Sequence, residues 1–68
     1  MKLTIKACRA QVGVSAAELA KEIKVNKDTI YAWEAGKTSP RLDNVMKMIE
    51  FFKSRGFDIR IDDINFLA

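Results

Sequence analysis

Histidine is absent from this 68-residue chain, cysteine and proline occur once each, and glycine occurs three times. Without histidine there is no imidazole-based dyad or triad, and one cysteine makes neither an internal disulfide nor a thiolate zinc cluster. No catalytic residue, metal or cofactor is therefore expected, nor a small-molecule ligand. No apolar run is long enough to span a bilayer, and the opening MKLTIKACRA lacks the apolar stretch of a secretory signal, so no membrane partner is expected. A lone thiol fits a reducing compartment, and the expected location is the cytoplasm. No repeat, low-complexity tract or linker interrupts the chain.

What remains is an ordinary globular balance, 49% apolar and 31% charged, in a length that suits one core and no second domain. Residues 1–68 are expected to form a single unit. The formal charge of +3 is unevenly placed: residues 1–41 carry eight Lys/Arg and four Asp/Glu, residues 42–68 four and five. A basic front half suggests a polyanionic partner, although such an excess also occurs on plain solvated surfaces.

Periodicity and capping residues divide the chain. Thr4 is a candidate N-cap for a helix to Val12, closed by Gly13, whose Ile5, Cys8, Arg9 and Val12 share one face. Cys8 lies on this apolar stripe and reads as inert packing. Arg9 on the same stripe needs a carboxylate partner. Ser15 and Glu18 form a capping-box pattern that starts a second helix running to Ile23, with Leu19, Ala20 and Ile23 inward. Three residues later Asn26 caps a third helix, Lys27 to Ala35, followed by Gly36. On it Ile30, Trp33 and Glu34 share one side, while Asp28, Tyr31, Ala32 and Ala35 lie opposite. Glu34 thus points toward the interior that Arg9 enters, and a structural Arg9–Glu34 pair is expected.

A fourth helix spans Leu42 to Arg55 and stops at Gly56, with Leu42, Val45, Met46, Ile49 and Phe52 as its core stripe. Met48 and Phe51 widen that arc and need a further cover. The segment Phe57 to Ile61 alternates like a strand, whereas Asp62 or Asp63 would open a last helical turn through Ile64, Phe66 and Leu67.

A tight helix pair whose second member has a small, polar outward face and a basic first turn has the shape of a helix-turn-helix DNA reader. Arg9, Gly13, Val14 to Ala20, Val25, Asn26, Thr29-Ile30, Trp33-Glu34 with Gly36, Pro40 and Leu42 together resemble the Cro and phage-repressor (XRE-like) helix-turn-helix family from about Ile5 to Phe52. The run Asp58 to Ile64 is similar to that family's lead into a fifth helix, which favours helix over strand there. The implied fold is all-α, a compact four- to five-helix bundle of the lambda-repressor-like DNA-binding type, with the helix-turn-helix at about 15–35 and a possible fifth helix and dimer contact within 57–68.

The resemblance implies a transcriptional regulator, Cro-like or a minimal phage or prophage repressor, that binds a double-stranded DNA operator as a homodimer. Its third helix would enter the major groove, with Lys27, Asp28, Tyr31 and Ala32 at base edges. Ser15, Ala16, Lys24, Asn26, Lys37 and Arg41 would meet phosphates. Phe51, Phe57, Phe66 and Leu67 would either close the monomer core or form a dimer interface. The family often has Gln where Ala16 stands and Gly where Lys24 stands. Alternatives are an antitoxin or restriction-modification controller of the same fold, and a protein-interaction module that has lost DNA binding.

Overall fold

Side chains with a free oxygen begin three of the helices, and the computed structural model describes residues 3–64. Thr4 Oγ1 accepts from the Ala7 N–H at 3.1 Å and starts α1, Ile5–Val12. Ser15 Oγ accepts from the Glu18 N–H at 3.0 Å and starts α2, Ala16–Ile23. Asn26 Oδ1 accepts from the Asp28 N–H at 2.9 Å and starts α3, Lys27–Glu34. The fourth, α4 at Leu42–Ser54, begins at Arg41, whose side chain has no oxygen to offer. Each such cap satisfies a donor that the first helical turn leaves free.

All four helices end in one way. The chain turns left-handed at Gly13, Lys24, Gly36 and Gly56 (φ 71°, 61°, 77° and 85°), and the next residue's N–H reaches back to Arg9, Ala20, Ala32 or Phe52. This double reach-back satisfies the last carbonyls and needs a positive φ that glycine adopts freely. Lys24 is the non-glycine residue in that slot among the described residues.

The core collects Ile5 and Cys8 of α1, Leu19, Ala20 and Ile23 of α2, and Ile30 and Trp33 of α3. From α4 it takes Val45, Met48, Ile49, Phe51 and Phe52. The expected α4 stripe is corrected at two positions, because Leu42 and Met46 are 64% and 47% exposed. At about 100° per residue the buried arc of α4 is centred near Val45 and Phe52, and Leu42 and Met46 fall past its edge. The arc extends the other way, over Met48 and Phe51, where α2 and the tail pack against α4.

That tail is neither strand nor regular fifth helix among the described residues. Phe57 is half-buried and Ile59 and Ile64 are buried in the same apolar cluster as Met48 and Phe51, while Ile61–Asp63 form one 3₁₀ turn. The Arg60 N–H donates to Asp63 Oδ2 at 3.0 Å and fixes that turn. Among the described residues no second strand lies alongside 57–61, and its alternation plugs the core through Ile59. Instead Leu3 donates its N–H to the Asp63 carbonyl at 2.7 Å and Leu3 bridges Ile64, which ties the two ends of the described chain together. Phe66 and Leu67 lie outside the described residues. Among those described, no helix is long and apolar enough to cross a membrane.

Candidate nucleic-acid interface

The position of α3 is set by one ion pair. Arg9 Nε donates to Glu34 Oε2 at 2.7 Å and Arg9 Nη2 to Glu34 Oε1 at 3.1 Å, a two-pronged fork between α1 and α3. Arg9 Nη1 also donates to the Val14 carbonyl at 3.2 Å, immediately before the Ser15 cap. One guanidinium therefore holds α1, the approach to α2, and α3 in a single arrangement. The side chains are only 14% and 10% exposed, and the pair's geometry leaves neither partner's charge unmet. Glu34's hydrogen bond holds the Arg9 proton above the guanidinium's ordinary range, burial opposing and the carboxylate's charge assisting.

With its inner side committed to Ile30, Trp33 and Glu34, α3 turns Lys27, Asp28 and Tyr31 outward, and Ala32 sits half-buried beside them. Tyr31 is 52% exposed, which makes it the largest apolar surface on this helix. Trp33, at 4% exposure, is core. Exposed polar residues lie in the segments before and after α3. Before it, Ser15, Lys24 and Asn26 are exposed. The capping oxygens of Ser15 and Asn26 are occupied, yet the Ser15 hydroxyl hydrogen and the Asn26 amide N–H₂ remain as donors. The side chain of Ala16 is buried, so only its backbone N–H at the start of α2 is left to meet an anion. After it, Lys37 and Arg41 are exposed, and the Lys37 N–H donates to the Ala32 carbonyl at 2.9 Å, which anchors that loop to the end of α3.

The capping box expected at α2 is half built. Ser15 accepts from the Glu18 N–H, but the Glu18 carboxylate turns away and accepts from Arg55 Nη2 at 2.9 Å. The Arg55 guanidinium in turn lies 5.1 Å from the centre of the Phe51 ring. Arg55, at the end of α4, was invisible to a reading of local pattern because its partner is 37 residues away.

The expected dimer residues are differently placed. Phe51 is 9% exposed and Phe57 packs on the core with its ring 6.4 Å from that of Phe52, so the apolar surface they would share with a second copy is largely used within the protomer. Among the described residues no cluster of ligating side chains suits a metal ion. Cys8 is fully buried, and burial, with Asp63 nearby, pushes its thiol up to about 11.

The family described as Helix-turn-helix matches residues 5–59. Two proteins of Archaeoglobus fulgidus, each named an uncharacterized HTH-type transcriptional regulator, are 36% identical to this chain over 63 residues. The alignments cover 93% of this chain and 90% and 89% of theirs. No solved structure matches.

Proposed function

Since the chain belongs to the XRE-like helix-turn-helix family of DNA-binding transcriptional regulators, we propose that it is a Cro-like repressor that reads a double-stranded operator as a homodimer. The observation that carries this reading is the exposed Lys27, Asp28 and Tyr31 on a helix locked from behind by the Arg9–Glu34 fork, with exposed donors in the segments before and after it. A short helix held this way enters a major groove as a rigid body.

In the groove, Lys27 donates to the O6 and N7 of a guanine, Asp28 accepts from a cytosine N4 amine, and Ala32 is small enough to meet a thymine methyl. Tyr31 reaches a base edge or the adjoining phosphate. Ser15, the Ala16 N–H, Lys24 and Asn26 hold one backbone strand, Lys37 and Arg41 the other, and together they set register without reading sequence. The basic front half supports this division of labour. Two copies place their third helices about 34 Å apart on a pseudo-palindrome.

Selection of bound sequences from a random duplex pool at moderate salt tests the proposal. The expected result is a two-fold motif with half-sites one helical turn apart; no enrichment by folded protein overturns it. Lys27→Ala then relaxes preference at one base pair by about 1–3 kcal/mol, whereas Arg41→Ala weakens all sequences alike. A dimer neutralising ~6–10 phosphates loses about 10³–10⁵ in affinity between 50 and 200 mM salt. A protein-interaction module would show neither response.

A further inference from the structure

The outer face of α4 carries apolar side chains that stand exposed among the described residues. Leu42 and Met46 stand 64% and 47% exposed, one turn apart. They are flanked by exposed Asp43 and Lys47, neither of which forms an ion pair among the described residues. The surface where a second copy was expected, around Phe51, is turned into the core, and the described tail shows only Ile61 at 39%.

We propose that this α4 face is the contact between two copies of the chain, with the two α4 helices antiparallel across a two-fold axis. The pattern is self-complementary in that one arrangement. An antiparallel register that sets Leu42 against the partner's Met46 also sets Met46 against the partner's Leu42, because the two sequence positions have a constant sum. In nearly the same register Asp43 faces the partner's Lys47, and Lys47 the partner's Asp43. Asp43 and Lys47 lie about 40° apart on one side of the apolar pair, the side that meets its own copy when two helices pack antiparallel. A parallel pairing would set this charged side against the partner's opposite side, where Asp43 and Lys47 would not meet each other.

Two apolar side chains per face fall well short of the ~800 Å² per partner of a standard stable interface, so the contact is weak in free solution. It rests on the operator reading only for its purpose: adjacent half-sites raise the local concentration of the second copy and complete the dimer on DNA. Leu42 directly follows Arg41, so the interface borders the loop assigned to phosphate, as a two-fold operator requires.

The test begins without DNA, by sedimentation equilibrium from about 10 µM to 1 mM, the range of weak association. The average mass is expected to rise toward two chains. Leu42→Ser with Met46→Ser abolishes the rise, and Asp43→Lys or Lys47→Asp alone weakens association at least tenfold. Asp43→Lys with Lys47→Asp restores it. All four positions are exposed, and circular dichroism checks that each variant folds. A monomer at every concentration overturns the proposal, as does association indifferent to these changes or charge reversals without mutual rescue. On duplexes, Leu42→Ser with Met46→Ser keeps wild-type affinity for a single half-site and loses cooperativity on two. A wild-type chain that dimerises through α4 but selects no sequence would instead retire the operator reading and leave the interface standing.

Discussion

The two ends of the bundle handle their surfaces differently. From α1 to α3 the exposed charges are mostly cationic, three side-chain caps and the Arg9–Glu34 fork fix the backbone, and large apolar side chains other than Tyr31 are turned in or half-buried. From α4 onward the start of the helix lacks a side-chain cap, charge is nearly balanced, and Leu42 and Met46 remain in water. A rigid polar face suits a rigid polyanion, whereas a face with uncovered apolar groups suits another protein surface. The difference shows how 68 residues accommodate both kinds of contact without a second domain.

The largest way to break that contrast is to remove the fork. Arg9→Ala or Glu34→Ala leaves a mostly buried charge unmatched and is expected to cost about 2–4 kcal/mol in urea unfolding, whereas Arg9→Met with Glu34→Leu costs less than either single change. Equal losses for all three variants would show that the pair does not act as a unit. At the other end, Ile59→Ala removes a buried plug from the tail and should cost about 2–4 kcal/mol. A loss below about 0.5 kcal/mol, as at a surface site, would mean that the tail is not part of the core.

Cys8 sharpens the comparison by pH. Its thiol titrates at an ordinary 9.0 when unfolded and at about 11 when folded, so between these values the unfolded chain has released a proton that the native one retains. Stability from this group is therefore fully present below 9.0 and falls as pH rises toward about 11. Wild type should lose about 1–3 kcal/mol more than Cys8→Ala across that window, measured by urea unfolding at each pH. Parallel pH profiles for the two proteins would exclude a role for Cys8.

The smallest expected effect lies at the turn between α2 and α3. Lys24→Gly relieves a positive φ and should raise stability by about 1 kcal/mol. Its loss of a phosphate contact should weaken all DNA sequences alike and lower the salt slope by about one. If stability rises and DNA affinity is unchanged, Lys24 makes no phosphate contact.

Much of the bundle is legible in the sequence. Thr4, Ser15 and Asn26 announce helix starts because their side-chain oxygens replace a missing backbone acceptor, and Gly13, Gly36 and Gly56 announce ends because they accept a positive φ. Arg9 and Glu34 identified one another since each is a charge on an otherwise apolar face. The second half of the capping box was misread: Glu18 had an alternative partner in Arg55, and local pattern carries no information about a guanidinium brought in by another helix.

What the sequence by itself determined is therefore whatever depends on near neighbours along the chain: where helices begin and end, which faces of α1 to α3 are apolar, and the basic bias of the front half. The tertiary structure alone decided which side of α4 is inside. Helical periodicity admits a broad arc from Leu42 round to Phe51, and only the packing of α2 and of the returning tail against α4 selects among its members. Burial is a property of what packs against a face, and for α4 those partners come from distant parts of the chain, leaving Leu42 and Met46 uncovered.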